Sequence, residues 1–152
     1  MKRKPYGSYG TVGPAPGFKW SEVRCKDGSL PLTPLMRRRY VLQGRYLNQL
    51  RAVIARAYKI PAGHVTISVT SWYRSPGYNQ RIGGARWSQH VEGRATDIVV
   101  YVKRKQGDRV RVAPAFVARL ATRVPAFKNG GIGVYTSFTH VDHRKGAARW
   151  SG

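Results

Sequence analysis

The feature that most constrains the fold is one long amphipathic helix in a chain of 152 residues. From Pro34 to Tyr58, apolar residues recur at spacings near 3.6, with Arg and Gln between them. A helix with one apolar face must bury that face against another layer of structure. Because the chain is long enough for only one ordinary domain, we expect the remaining segments to supply that layer.

The segments after the helix have the patterns of short strands. Pro61 and Gly63 interrupt the helical spacing, and the residues that follow alternate between apolar and polar. The predicted elements are strands at 64–72, 95–102, 131–135 and 138–142, a glycine-rich turn region at 75–84 and a short helix at 113–124. Together they predict an α+β domain with a small antiparallel sheet and helices packed to one side.

The chain divides into an arm and a domain. Residues 1–17 are basic, rich in Gly and Pro and without periodicity, which is typical of a flexible arm. Residues 18–152 are predicted to form the single folded domain. The arm lacks the apolar segment of a secretory signal peptide, and no stretch approaches the roughly 20 apolar residues of a membrane span.

The strong positive charge of the chain predicts that it binds polyanions, but it does not identify which polyanion. The chain has 28 Lys and Arg against 6 Asp and Glu, a formal net charge of +22. Nucleic acids, teichoic acids, lipopolysaccharide and anionic membranes all offer phosphate groups to such a surface. The single cysteine, Cys25, excludes an intramolecular disulfide and a cysteine-based zinc finger. Any metal site must therefore use histidine and carboxylate ligands.

The scarce histidines and carboxylates fall into two clusters. In the first, His90 and Asp97 flank Gly93, whose tolerance of positive φ allows a bend that brings the two side chains together. The second cluster lies on a predicted strand, where His140 and Asp142 share a face. His90, Asp97 and His140 would form a tripod of two imidazoles and one carboxylate. Such a tripod leaves the fourth zinc position to water.

Three segments resemble the zinc D-Ala-D-Ala carboxypeptidases and related phage endolysins: SWYRSPGYN, GGARWSQHVEGRATDI and GGIGVYTSFTHVDHR. The pattern Ser-x-His-x-x-Gly-x-Ala-x-Asp is matched at every fixed position, and the resemblance extends over about residues 18–150. It implies a hedgehog/DD-peptidase-like fold with Zn²⁺ bound by His90, Asp97 and His140. It also implies that Arg74 holds a substrate carbonyl or carboxylate and that Ser88 contacts the substrate or supports a ligand.

The chain departs from part of this family at the catalytic base. Many members place Asp or Glu three residues before the last histidine, where this chain has Ser137. We expect Asp142 to replace that base, since a carboxylate must pass a proton from water to the leaving amine. The alternative is that Asp142 is a ligand and His140 the acid/base. Imidazole is the commoner zinc donor, which favours His140 as the ligand.

The resemblance implies a zinc metallopeptidase that hydrolyses stem peptides of bacterial peptidoglycan. Small size and the missing export signal favour a phage lysin or virion-associated enzyme, made in the host cytoplasm and acting on the cell wall. We expect a monomer whose partners are that peptide and anionic envelope polymers, with no specific nucleic acid. The alternatives are a catalytically silent cationic wall-binding module and a basic nucleic-acid-binding protein. The bond that is cut, and whether the enzyme is a carboxypeptidase or an endopeptidase, stay open.

Overall fold

The computed structural model of the protein describes residues 13–152. Most of the predicted arm, residues 1–12, lies outside the described residues. Gly13, Pro14 and Ala15 are buried. Ala15 packs against the long helix at Gly44, where an added Cβ would lie 2.8 Å from the Ala15 Cβ. The end of the predicted arm therefore contributes to the core.

The long helix α2 occupies the predicted residues, Pro34–Tyr58. Thr33 caps its N-terminus by accepting a hydrogen bond from the Met36 N–H (3.2 Å), and the left-handed residue Lys59 ends it. The other helices in the described residues are α1 (Trp20–Val23), α3 (Pro76–Arg81), α4 (Pro114–Ala121) and α5 (Pro125–Lys128), with a 3-10 helix at Ala62–His64. No helix in residues 13–152 is both long and apolar enough to cross a membrane.

The described strands form one six-stranded sheet, in which the main order is β1-β2-β5-β4-β6 and β3 pairs with β2. They are β1 (Val65–Ser71), β2 (Ala95–Lys103), β3 (Arg109–Arg111), β4 (Gly131–Val134), β5 (Thr139–Asp142) and β6 (Ala148–Ser151). The predicted α+β class is confirmed. The sheet is antiparallel, as predicted, except that β6 pairs with β4 in parallel. That strand is too short to show a period in the sequence.

One face of the sheet packs on the helices and forms the core. The α2 side chains Tyr40, Leu47, Leu50 and Ile54 are fully buried. They belong to one cluster with apolar residues of the strands and of α4, such as Ile98, Val141 and Leu120. The predicted packing of the helices on one side of the sheet follows from this burial of apolar surface.

A buried polar network ties α2 to this face of the sheet. Gln43, which is fully buried, donates from Nε2 to Thr96 Oγ1 (2.9 Å) and to the Val141 carbonyl (3.0 Å). Its Oε1 accepts a hydrogen bond from Nδ1 of His143 (2.7 Å). These bonds fix where β2 and β5 lie relative to the helix, because each group would be costly to leave unpaired.

The opposite face carries a registered row of residues across five strands. Ser71 pairs with Asp97, Asp97 with His140, His140 with Gly133, and Gly133 with Trp150. Paired residues on neighbouring strands project to the same side of a sheet. The fold thus collects polar and aromatic side chains on the face turned away from the core.

We expect His143 to make the stability of the fold depend on pH. Burial lowers its pKa to about 4, whereas an unfolded histidine titrates near 6.5. Between these values the unfolded chain binds a proton that the folded protein does not, so stability falls as the pH falls. The loss of unfolding free energy between about pH 7 and about pH 5 should be smaller in His143→Gln than in the wild type, by about 1–2 kcal/mol.

Urea unfolding at the two pH values measures this difference. His64→Gln is the control, because it makes the same substitution at an exposed histidine. An equal pH dependence in His143→Gln and the wild type would contradict the assignment.

Candidate metal centre

His90 is held in a tight turn between α3 and β2. Gly93 has a φ of 74°, as its predicted role at the bend requires, and a Cβ there would lie 2.8 Å from Met36 Cε. The Arg74 N–H donates to the His90 carbonyl (3.2 Å), and the His90 N–H donates to Ser88 Oγ (3.3 Å). These contacts fix the turn against the segment that follows β1.

The structure brings His90, Asp97 and His140 together. Asp97 Oδ1 lies 3.1 Å from Nε2 of His90 and 2.9 Å from Nδ1 of His140. All three residues are buried, and one candidate ligand atom from each lies within 4.8 Å of the others. Ligand atoms around a tetrahedral zinc are separated by roughly 3.4 Å, as follows from bonds of about 2.1 Å. The cluster therefore has the dimensions of a metal site.

The outer partners of the two imidazoles can each accept a ring proton, which frees the inner nitrogens to bind a metal ion. Nδ1 of His90 lies 2.7 Å from the Trp72 carbonyl, which can only accept, so a ring that gives its Nε2 lone pair to a metal keeps its proton on Nδ1. Nε2 of His140 faces the Asp142 carboxylate at 2.9 Å, which fixes its proton in the same way. With the outer nitrogens protonated, two nitrogen lone pairs and a carboxylate oxygen can converge on one cation, which takes the place of the protons that otherwise lie between Asp97 and the two rings. A cation satisfies all three, so the donor set fits a metal ion.

The pKa shifts of His90, Asp97 and His140 are consistent with a site that binds a cation. Burial lowers the pKa of His90, which favours the neutral imidazole that a metal requires. For His140, burial also acts to lower the pKa, but the hydrogen bonds to Asp142 and Asp97 outweigh it and the pKa is raised. For Asp97, burial acts to raise the pKa, yet the hydrogen bonds to His140 and His90 hold it below its usual range. Asp97 therefore stays an anion despite its burial.

Asp142 lies behind His140 and is fully buried. Its Oδ1 accepts from the Gly131 N–H (2.9 Å) and from the Arg144 N–H (3.0 Å), while its Oδ2 faces His140 and Arg144. Each of these partners donates a hydrogen bond to the carboxylate. This geometry does not support the predicted role of Asp142 as catalytic base, nor the alternative role as metal ligand, because its carboxylate is enclosed and does not line the cleft.

Two glycines of β4 make room for this arrangement. A Cβ at Gly131 would lie 2.2 Å from Asp142 Oδ2, and a Cβ at Gly133 would lie 2.4 Å from the Trp150 ring. Both distances are far below van der Waals contact. The side-chain-free backbone lets the carboxylate and the indole approach His140, whose ring centroid lies 5.0 Å from that of Trp150.

The cluster opens into a cleft of about 470 Å³. Arg74 and Ser88, both predicted from the sequence, line it beside the metal cluster. Arg74 donates from Nη2 to Asp97 Oδ2 (2.9 Å) and from Nε to Ser71 Oγ (3.2 Å). The Ser137 position, where related enzymes carry a base, is exposed and lies outside this lining.

Sequence reasoning missed the aromatic wall of the cleft. Trp150 donates from Nε1 to the Tyr135 hydroxyl (2.9 Å), and the Tyr135 ring stacks on Phe138 with centroids 4.3 Å apart. Trp150 also packs under the guanidinium of Arg144. The available signal was Gly133 in the run GGIGVY, since a glycine within a strand often marks a close approach by another group.

Comparisons with known proteins place the chain in a family. No curated protein matches the chain. A protein-family model described as Peptidase M15 matches residues 61–142, more than half of the chain. The match spans the strands that carry the cluster, from β1 through β5, and ends at Asp142. The chain therefore belongs to the peptidase M15 family of zinc D-Ala-D-Ala carboxypeptidase-like enzymes.

Proposed function

We propose that the protein is a zinc peptidase that hydrolyses peptide bonds in the stem peptides of bacterial peptidoglycan. The observation that carries this proposal is the convergence of His90 Nε2, His140 Nδ1 and Asp97 Oδ1 at the wall of a cleft. Membership of the M15 family supports zinc as the metal and a peptide as the substrate.

His90, Asp97 and His140 are the residues that would hold Zn²⁺. Two neutral imidazoles and one carboxylate form a common catalytic zinc set with one position open. When bound there, zinc supplies a Lewis acid that polarises a carbonyl and activates water. The chain's own contribution is to hold the donors: the Trp72 carbonyl orients His90, and Asp142 orients His140.

Arg74 is the proposed substrate-binding cation. Its bonds to Asp97 and Ser71 fix the plane of the guanidinium at the edge of the cleft. Among the described residues no hydrogen bond is made to its Nη1, which leaves that group for a substrate oxygen. Ser88 lines the same cleft, and we assign its hydroxyl to the substrate as well.

We propose that Tyr135, on the aromatic wall of the cleft, donates a hydrogen bond to the substrate. Asp97 is the only carboxylate among the described residues that line the cleft, so no second carboxylate is available there as a base. The Tyr135 hydroxyl accepts the Trp150 N–H, and this leaves its own proton free to be donated into the cleft. A donor there would stabilise the oxygen that becomes negative during hydrolysis.

The basic surface fits an enzyme that works at the bacterial envelope. With a net charge of +22, the protein should adsorb to anionic wall and membrane polymers, which concentrates it near its substrate. We propose a phage lysin or virion-associated enzyme that acts on the cell wall as a monomer. A wall-binding module without activity and a nucleic-acid-binding protein remain as outcomes of the experiments below.

The first prediction concerns metal retention. We expect one zinc ion per chain after dialysis, and its loss in His90→Ala, Asp97→Ala and His140→Ala, because two remaining donors bind zinc weakly. Mass-spectrometric metal analysis measures the ratio. His64→Ala is the control, since His64 is exposed and outside the cluster. A ligand variant that keeps full zinc would remove its residue from the site.

The second prediction separates an orienting role of Asp142 from a base role. If Asp142 orients His140, Asp142→Asn should weaken zinc affinity by about 10–100-fold, and turnover should recover at high zinc concentration. If it were the base, zinc would stay bound while the rate fell by about 10²–10⁴-fold. Glu92→Gln is the control, because it removes only the exposed ion pair with Arg39. Loss of rate at full zinc occupancy would restore the base role.

The third prediction tests the activity itself. Purified cell walls should lose turbidity in the presence of the enzyme, and chelation should stop this. Arg74→Lys should keep zinc but lower the rate by about 10²-fold, because an ammonium cannot reproduce the planar fork. Arg38→Lys, on the exposed part of α2, should leave the rate unchanged.

Other outcomes of the same assay identify the alternatives. Wall binding without lysis by the zinc-loaded protein would indicate a silent binding module. Retention on nucleic acid by a protein without zinc would indicate a nucleic-acid-binding function. An unchanged rate in Arg74→Lys would remove Arg74 from the site.

A further inference from the structure

A cavity of about 570 Å³ lies outside the cleft of the metal cluster. It is bounded by α2, by α5 and by the segment that follows β5, residues 143–146, and we call it the α2–α5 cavity. None of the three proposed metal ligands lines it. Arg144 lines both this cavity and the cleft, so the two are neighbours that share one wall residue.

The α2–α5 cavity has the charge of an anion-binding site. Arg144 and Lys145 line it, and no carboxylate among the described residues does so. Arg144 donates from Nε and Nη2 to Asp142, whereas its Nη1 makes no hydrogen bond within residues 13–152. Those bonds and its stacking on Trp150, 5.2 Å from the ring centroid, hold the guanidinium in one plane. An anion in the cavity would therefore meet a cation of fixed orientation.

Two side-chain amides add neutral donors to the same cavity. Gln49, on α2, and Asn129, directly after α5, are exposed and line it. Neither amide group makes a side-chain hydrogen bond in the part of the chain that the structure describes. Each has two N–H donors, which suit the oxygens of a phosphate. Pro125 and Ala126 complete the wall with apolar surface for a short carbon skeleton.

His143 indicates that the ligand also carries a hydroxyl group. Its Nδ1 donates to Gln43 Oε1 (2.7 Å), and burial lowers its pKa to about 4, so the ring is neutral near pH 7 and Nε2 is an acceptor. His143 lines the cavity, and its Nε2 is buried with no hydrogen-bond partner among the described residues. A buried acceptor without a donor is costly. A phosphodiester has no proton to donate, so the missing donor would be a hydroxyl of the carbon skeleton.

Three exposed arginines on α2 form a line that passes the cavity. Arg38, Arg45 and Arg56 are separated by 7 and 11 residues, which are nearly whole numbers of helical turns. Gln49 lies on the same side of the helix, between Arg45 and Arg56. At 1.5 Å per residue this arginine line is about 27 Å long, and α2 has no Asp or Glu to interrupt it. It offers cations on both sides of the cavity.

The surroundings of the arginine line favour a phosphodiester polymer over a bilayer or a nucleic acid. The apolar face of α2 is buried in the core and is not available to enter a membrane. No aromatic side chain lies within the line for bases to stack on. A chain of polyols joined by phosphodiesters needs neither, because it presents phosphates to the arginines and hydroxyls to His143.

We propose that the α2–α5 cavity and the arginine line form an accessory site for a polymer of polyol phosphates, the chemistry of a teichoic acid. One repeat enters the cavity, with its phosphate at Arg144 and Lys145 and its hydroxyl at His143, and neighbouring phosphates lie along α2. The proposal goes beyond a general attraction of positive charge, because it assigns one surface and one repeating unit. The metal ligands take no part, so binding can be measured apart from hydrolysis.

Binding of poly(glycerol phosphate) to the zinc-loaded protein tests the cavity. In isothermal titration calorimetry at physiological ionic strength, we expect Lys145→Gln to raise Kd by at least about fivefold, because it removes an ionic contact. Lys103→Gln is the matched control, since it removes the same charge at an exposed residue outside the cavity and should change Kd by less than about twofold. Equal weakening by both substitutions would indicate attraction by net charge alone and would overturn the cavity.

Glycerol phosphate, a single repeat, separates the cavity from the arginine line. In NMR titrations the monomer should shift the backbone amide signals of Asn129 and Lys145. We expect the double variant Arg45→Gln/Arg56→Gln to raise Kd for the polymer by at least about tenfold and Kd for the monomer by less than about twofold. Lys103→Gln/Arg123→Gln, at two exposed residues outside the line, is its control. Unchanged polymer binding in the Arg45/Arg56 variant would remove the arginine line from the site.

A single-stranded DNA oligonucleotide with the same number of phosphates distinguishes the classes of polymer. We expect its Kd to be at least about tenfold higher, because the sugars inside a DNA strand have no free hydroxyl for His143. Equal or tighter binding of the DNA would overturn the polyol assignment and indicate a nucleic-acid site. Lys145→Gln should hydrolyse a small soluble peptide at the wild-type rate. Failure of the accessory site is therefore distinguishable from failure of the proposed peptidase function.

Discussion

The site depends on one carboxylate oxygen, Oδ1 of Asp97, which two imidazole nitrogens approach from different parts of the chain. One imidazole comes from the turn after α3, and the other comes from β5, which is paired with β2. The rest of the structure fixes this meeting point: Gly93 closes the turn, and Gln43 ties both strands to α2. A buried carboxylate between two histidines is costly unless positive charge is supplied there.

The contacts outside the cluster determine its chemistry. A carbonyl behind His90 and a carboxylate behind His140 can accept the outer ring protons, so that the inner lone pairs of both rings are available to a metal ion. Gly131 admits the second of these partners, because any larger residue would collide with the Asp142 side chain. Asp142 thus contributes to the site through His140, and Arg144 balances its charge. This separation of roles explains why a carboxylate can lie two residues from His140 without facing the cleft.

Local patterns predicted the parts of this structure that have a clear period or a complete motif. The 3.6-residue spacing located α2, alternation located β1, and short runs typical of strands located β2, β4 and β5. Strand periodicity placed His140 and Asp142 on one face, but it does not say which nitrogen of His140 meets which neighbour. That depends on the register between β2 and β5, which is a tertiary property. The position of Trp150 in the cleft also depends on a tertiary contact, the pairing of β6 with β4. It was not predicted, because β6 is only four residues long and shows no period in the sequence.

The central claim is that His90, Asp97 and His140 hold one zinc through imidazole nitrogens whose protons are fixed from outside. X-ray absorption spectroscopy of the zinc-loaded protein tests it most directly, because it counts imidazole ligands at the metal. We expect a four-coordinate shell of nitrogen and oxygen donors with two imidazoles, at about 2.0–2.2 Å. A shell made of oxygen donors alone, or one with a single imidazole, would contradict it.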